Sequence, residues 1–267
     1  MKKIISVFLL AAGAISVNVS AQTSDFAELI PTPYLQKDLT AIAGLGIVTV
    51  PKYADGSKQE VLPLPVLDMQ WKSGVFFSSL SGYGYNFSQN PSWQYGLRLG
   101  LIMNQRQSEK NDGNGPGNTR TNLAPGVFGN YLIDQHYTVL TSLEAGGGID
   151  KQHDGILASV GLRYVDQLDA GNRIYGIVST TWANLHYMQD YYGVSQAQAA
   201  EYNMPEYETK AGILKIKLSS GWNHVIDQRW SLLTGAALTK PLGGESSSPL
   251  SSSKIQVVAY TAVYYKF

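Results

Sequence analysis

The side chains able to do chemistry in this 267-residue chain are few and scattered. There is no cysteine and there are four histidines, His136, His153, His186 and His224. Absent cysteine excludes disulfides, thiolate metal sites and a thiol nucleophile. No two histidines stand at the i, i+4 spacing that places two imidazoles on one helix face. Asp150, His153 and Asp154 cluster in Ile-Asp-Lys-Gln-His-Asp-Gly. A metal site needs three or four convergent ligands, and this stretch reads as a solvated hairpin loop ending in Asp-Gly.

A hydrolase needs a nucleophile, a base and an orienting group within mutual reach. Ser195, His186 and Asp190 supply those types within one segment. Ser195, however, opens Ser-Gln-Ala-Gln-Ala-Ala-Glu, with Gln198 three residues on. That is the signature of a capping box, in which the serine oxygen accepts the N3 amide and Gln198 reaches back. The alanines that follow favour helix. The segment is therefore expected to hold a short surface helix. Gly146-Gly147-Gly148 and the run Gly113 to Gly117 precede no helical pattern, so neither reads as a phosphate loop. No catalytic, cofactor or metal site is expected, and the chain does not read as an enzyme.

The elements around these residues are more informative. Apolar residues make up 44% and charged residues 15%, with 27 Gly, 17 Tyr, and 20 basic against 20 acidic side chains. Disordered chains need high charge and few aromatics, and this composition is the reverse. Balanced charge gives no support to a nucleic-acid partner. Lys2 and Lys3, the apolar stretch Ile4 to Ala14, and the small-residue site Val19-Ser20-Ala21 form a secretory signal peptide. Cleavage is expected between Ala21 and Gln22. The domain plan is then a leader over 1–21, a periplasmic segment or first short strand over 22–38, and one barrel domain over 39–267.

No later stretch approaches the roughly 18 apolar residues of a membrane-crossing helix. Apolar residues alternate instead. Trp93, Tyr95, Leu97, Leu99 and Leu101 face one way, with Gln94, Gly96, Arg98 and Gly100 between them. Ile156 to Tyr164 does the same against Ser159, Gly161 and Arg163. Leu214, Ile216, Leu218 and Trp222 oppose Lys215, Lys217 and Asn223, and Ile255 to Phe267 alternates throughout. A period of two is a strand with one apolar face. The runs reach ten residues or more, the length of a tilted strand crossing a bilayer. The fold class expected is all-β, a transmembrane antiparallel barrel with apolar residues outward and Arg98, Arg163, Lys215 and Lys217 inward. Trp71, Trp93, Tyr131, Tyr137, Trp182, Trp222 and Trp230, near segment ends, suit interfacial girdles.

Strands are expected near 61–71, 75–86, 92–103, 122–132, 137–147, 155–166, 172–185, 209–222, 230–240 and 255–267. Counting back from a periplasmic C-terminus, the connections at 223–229, 166–171, 133–136 and 88–91 fall inside and are short. Those at 241–254, 186–208, 148–154 and 104–121 fall outside. Residues 40–50 read as another strand, whose partner is sought in Phe26–Gln36 despite Pro31 and Pro33. That gives twelve strands, with ten plus a tucked N-terminal segment as the alternative. Val263, Tyr265 and Phe267 share the apolar face of the last strand. Such an aromatic strand end resembles the assembly signal that outer-membrane proteins present to the barrel-assembly machinery, and it suits addition to a sheet edge.

Gly44-Leu-Gly, Pro51-Lys-Tyr-Ala-Asp-Gly-Ser57 and Val61-Leu-Pro-Leu-Pro-Val66 resemble the opening of the MipA/OmpV family. The stretch Tyr187-Met188-Gln189-Asp190-Tyr191-Tyr192-Gly193-Val194, continuing through Gln198 and Ala199, resembles that family's most distinctive outer loop. Gly221-Trp222, Trp230-Ser-Leu232 and Ser248-Pro249 fit its second half. The resemblance spans roughly 40–267. It departs where the family carries acidic residues before Ser-Pro, since this chain reads Gly-Glu-Ser-Ser-Ser-Pro. The resemblance implies a Gram-negative outer-membrane barrel in contact with membrane lipid. It also implies, for one branch of the family, a scaffold binding a lytic transglycosylase and a murein synthase. The residues themselves leave a narrow passive pore open as the alternative.

Overall fold

A computed structural model describes residues 38–52, 58–79, 82–90, 92–102, 122–145, 155–251 and 254–267. The expected leader, its cleavage site and the strand sought at Phe26–Gln36 lie outside these residues. Twelve antiparallel strands form a closed barrel in which each pairs with its sequence neighbours and the last pairs with the first. They are β1 (Leu39–Pro51), β2 (Gln59–Trp71), β3 (Val75–Ser78), β4 (Gly82–Asn86), β5 (Trp93–Ile102) and β6 (Asn122–Leu132). Then follow β7 (Tyr137–Ala145), β8 (Ile156–Gln167), β9 (Asn172–Ala183), β10 (Gly212–Val225), β11 (Trp230–Pro241) and β12 (Gln256–Lys266). Among the described residues, three short helices, α1 (Leu185–Tyr192), α2 (Gln196–Tyr202) and α3 (Gly243–Ser247), sit on the connections at one rim.

The strand count is as expected, but its partition differs. The stretch 75–86 is two strands, not one. Gly82 adopts φ +89°, a backbone that L side chains rarely take, where β4 begins. Alternation on both sides of the turn conceals it from a period-two reading. This extra reversal supplies the strand that the parity count places before residue 40. The inside–outside parity expected from the C-terminus therefore holds back to 88–91, and the 72–74 turn joins the short-turn rim.

Side-chain direction follows the alternation. Leu97, Val160, Leu162, Leu218, Val257 and Val263 are exposed on the outer surface. Such a belt is what a lipid-facing wall requires. In β10 the face shifts. The register slips between Ile213 and Lys215, a β-bulge, so Ile213 is 50% exposed while Leu214 is 1% exposed. Leu214 therefore faces inward with Lys215, contrary to the outward placement read from the sequence. One extra residue in a strand turns everything before it to the other face.

The aromatic girdle is one-sided. Trp71, Trp93, Tyr131, Tyr137, Trp222 and Trp230 all stand at the short-turn rim, where the strand bounds place them. Of the seven aromatics expected to girdle both interfaces, only Trp182 lies at the other rim. At the closure, the Tyr265 ring lies edge-on between Trp230, at 5.2 Å, and Phe267, at 4.9 Å. The Phe267 N–H donates to Ala41 O at 3.0 Å, so even the final residue is tied to β1.

Inward glycines make room for inward rings. Gly221 and Gly235 are register partners on β10 and β11. Tyr175 from β9 and Tyr260 from β12 lie over them, and their hydroxyls hydrogen-bond. A Cβ at Gly221 would collide with the Tyr175 ring, and one at Gly235 with the Tyr260 ring. Gly221→Ala is expected to lower stability by about 1–3 kcal/mol, the usual cost of overpacking. Thermal or urea unfolding of the folded barrel measures it. Gly176→Ala is the control, because the nearest atom to its added Cβ is 3.8 Å away.

Candidate functional site: a roofed barrel interior

Three regions carry the polar and reactive groups: the interior, the roof over the long-loop mouth, and the short-turn rim. The interior divides into sectors. On β1, β2, β11 and β12 the inward residues Ile42, Val48, Val50, Leu64, Leu233 and Tyr260 form a buried cluster. Val48, Val50 and Leu233 are each 1% exposed. On β3 to β8 the interior is mixed. Phe76 and Phe128 meet edge-to-face at 5.8 Å. Arg98 forms an ion pair with Glu144, both well shielded. Arg163 donates to Thr138 Oγ1 at 3.0 Å. Lys217 is buried. The four inward cations read from the sequence are thus inward, and Glu144 is the acid that serves Arg98.

The roof is built from the β9–β10 and β11–β12 connections. Asn184 starts α1, and its side-chain oxygen accepts from the N–H groups of Tyr187 and Ile156, both at 3.0 Å. Tyr187, Met188 and Tyr192 then pack down on Leu157, Ala183 and Leu214 in the barrel mouth. Met188 is 0% exposed. Gln189 Oε1 accepts from Thr209 N at 3.1 Å, and the Gly193 N–H donates to Gln189 O at 3.0 Å. Val194 pairs with Tyr207 as an isolated bridge. Ser195 caps α2 as expected: its N–H donates to Gln198 Oε1 at 2.9 Å and its Oγ accepts from Gln198 N at 3.3 Å. The family-like residues of this loop are thus gathered into one packed unit.

The second connection is clipped to the first. Ser248 Oγ donates to Tyr192 O at 2.6 Å, and Tyr207 OH donates to Gly244 O at 3.1 Å. On the buried side of α3 itself is Glu245, 4% exposed. Burial pushes its carboxyl from 4.5 up to about 7, while Lys215 and a hydrogen bond from Tyr192 pull the other way. Burial, with Glu245 beside it, also holds the Tyr192 hydroxyl well above its ordinary range. Sequence reasoning misses Glu245 and Asn184. A lone acid among Gly and Ser gives no burial signal, whereas the Asn184 cap shortly before a Tyr-Met pair is in principle readable.

At the short-turn rim one device recurs. Asp134 Oδ1 accepts the N–H groups of His136 and Tyr137, each at 2.8 Å. Asp227 accepts those of Arg229 at 2.7 Å and Trp230 at 2.8 Å. Asp169 accepts from Gly171 N and from Asn172 Nδ2, each at 2.8 Å. These bonds hold all three carboxyls below the usual carboxylate range: backbone donors lead at Asp134 and Asp227, the Asn172 side chain at Asp169. His136 and His224 serve the same rim. The first bonds Val165 O at 3.0 Å, and the second bonds Asn172 Oδ1 at 2.9 Å. His186 is exposed on α1. Asp150, His153, Asp154 and the two glycine runs lie outside the described residues.

The roof's buried acid sets a pH dependence. The folded-state carboxyl of Glu245 is raised, so between its two pKa values the closed roof holds a proton that the opened loop does not. Stability of the roof is then greatest below about pH 5 and falls as pH rises through about 7. Amide exchange over 185–211, corrected for its intrinsic pH dependence, should be slower at the acid end. Glu245→Gln should flatten the profile and keep the roof protected at both ends.

No curated protein sequence matches the chain. Among solved structures, the NanC porin superposes with a TM-score of 0.45 at 8% identity, covering 85% of this chain and 100% of that one. The KdgM porin gives 0.40 at 9%, covering 85% and 99%. An anion-selective porin from Comamonas acidovorans gives 0.40 at 9%, covering 86% and 98%. The profile of the family described as MltA-interacting protein MipA matches residues 43–267. This chain, an outer-membrane β-barrel protein, belongs to the MipA family.

Proposed function

We propose that the protein is a scaffold rather than an open pore or an enzyme. In this reading the short-turn rim faces the periplasm and docks a lytic transglycosylase, the class of partner in the family's description. The observation that carries it is the burial of inward-facing apolar side chains. Val48, Val50 and Leu233 point into the barrel and are each 1% exposed. An aqueous channel would leave inward residues wet, as in barrels of about 16–18 strands. The tyrosine pair over Gly221 and Gly235 and the roof at the mouth support the same view. Turns braced by an aspartate, as three at this rim are, suit a docking rim because little order has to be gained on binding.

A narrow pore is the second reading. Arg98, Arg163 and Lys217 face inward, and a cationic lining favours small anions. Conductance separates the two. The purified protein in a planar bilayer should be silent, and Tyr175→Ala with Tyr260→Ala should raise conductance by opening the interior. Steady anion current from the parent would favour the pore. A photo-crosslinking residue at Gln135 or Gln228 should capture a murein hydrolase in intact cells, and the same residue at His186 should not. Capture only from His186 would overturn the docking rim.

The signal peptide cut after Ala21 and the assembly role of Val263, Tyr265 and Phe267 belong to this reading. The support for the second is positional: these outward residues end the strand that closes the barrel on β1. Tyr265→Ala with Phe267→Ala should lower the folded, heat-modifiable fraction in the outer membrane several-fold, read on a gel. An undiminished fraction would remove the assembly role.

A further inference from the structure

Charge is unevenly placed around the barrel. β8 to β12 carry Arg163, Arg173, Lys215, Lys217, Lys240 and Lys266, but a single acid, Asp166. Asp166 accepts from the Tyr164 hydroxyl at 3.2 Å, on the outer face where Tyr164 meets the Tyr137 ring. It does not face the lumen. Glu245 approaches Lys215 from the roof. The opposite end of this sector, at the short-turn mouth, holds Arg173.

Tyr175 of β9 meets Tyr260 of β12 across the interior. Arg173, two residues nearer the short-turn rim, therefore faces the lumen as well, one inward step or about 7 Å below the tyrosines. Its register partner on β10 is Asn223. The Tyr264 hydroxyl donates to Asn223 Oδ1 at 2.7 Å and lies within electrostatic reach of Arg173. The Arg163 guanidinium, which donates to Thr138 Oγ1 at 3.0 Å, lies within the same reach. Arg173 is half-buried, and among the described residues it makes no hydrogen bond or ion pair. Asp169, four residues before it, is committed to Gly171 N and Asn172 Nδ2. Two inward acids are engaged elsewhere, Glu144 with Arg98 and Asp68 with Gln70 Nε2.

Two guanidiniums within reach of each other repel, and an anion lying between them reverses the sign of that interaction. A guanidinium is a planar fork whose N–H groups match the oxygens of a carboxylate or phosphate. With its Oδ1 taken by Tyr264, Asn223 has its NH2 left to donate. We propose that the short-turn mouth of the lumen is an oxyanion site, which takes a phosphate or carboxylate group between Arg173 and Arg163 with Asn223 as neutral donor. The site opens to the lumen and not to the wall, so its ligand arrives through water and is not the headgroup of a surrounding lipid. The inference goes beyond docking at the rim and needs neither the partner nor the orientation of the barrel in the membrane.

The test uses the full mature chain folded in detergent micelles and treated with phenylglyoxal, with adducts mapped by mass spectrometry. Inorganic phosphate, compared with chloride at equal ionic strength, should slow modification of Arg173 several-fold. Arg229, exposed at the same rim, should react at an unchanged rate. Succinate should protect Arg173 as phosphate does, and phosphatidylglycerol added to the micelles should not. Equal rates at Arg173 with and without phosphate, or protection by the lipid alone, would overturn the proposal. A second readout needs no labelling. Phosphate should raise the thermal midpoint of the parent, read by heat-modifiable mobility, because it binds the folded state. Arg173→Gln removes a repulsion, so it should fold as well as the parent in chloride and lose the rise in phosphate. Lys72→Gln removes an exposed cation of the same rim and should keep the rise. A rise of the same size in Arg173→Gln would place the phosphate effect elsewhere and sink the site.

Discussion

Backbone hydrogen bonding in hydrocarbon is the constraint on which this architecture rests. Lipid offers no partner for an N–H or C=O group, so a strand that enters it must be paired on both sides. The barrel meets this by joining β12 to β1 over eight register pairs. The same constraint explains where proline sits in the sheet. Pro51 and Pro241 end their strands, and Pro125 lies just beyond the last β6–β7 pair. Pro63 and Pro65 line the edge that the short β3–β4 hairpin leaves beside β2. Among the described residues, each stands where a donor would find no ladder partner.

Closing twelve strands creates a second problem, an interior wider than one layer of side chains can fill. About eight strands suffice for a side-chain-filled lumen. Here the interior is narrowed by long side chains that reach past their neighbours. Tyr175 and Tyr260 meet over a glycine pair, Phe128 overhangs Gly96, and Arg98 reaches across β6 to Glu144. Glycine is therefore placed for space rather than flexibility at these positions. The 27 glycines and 17 tyrosines that make the composition unusual are partly the two halves of this packing.

Much of this architecture is legible in the amino-acid sequence, and the gaps have physical causes. Alternation in Trp93–Leu101 and Ile156–Tyr164 gives strand, face and the inward sense of Arg98 and Arg163, because period two is a direct imprint of the pleat. The β3–β4 turn escapes such a reading because Gly82-Tyr-Gly-Tyr keeps the same alternation on both sides of a reversal. Leu214 takes the face opposite to its expected one because a bulge adds one residue without changing composition. The Ser195 capping box is readable because it is local. Glu245 is not, since its burial depends on loops that meet only in three dimensions. The inward partner of Arg98 is likewise hidden, being 46 residues away in sequence.

The two rims solve their own backbone problem differently, and the difference bears on what each can do. At the short-turn rim, aspartates satisfy the free N–H groups of tight turns with exposed carboxylates, which stay charged and in place across the neutral range. At the other rim the connections are long, so their polar groups must be satisfied by each other. Gln189 serves Thr209, Ser248 serves Tyr192, and Tyr207 serves Gly244. Folding those bonds over the mouth buries Met188 and, with it, Glu245. A buried carboxyl carries a proton cost that an exposed one does not. The roof thus responds to pH through a buried acid raised toward neutrality, whereas the rim's aspartates, held below the usual carboxylate range, lose their bracing only on acidification.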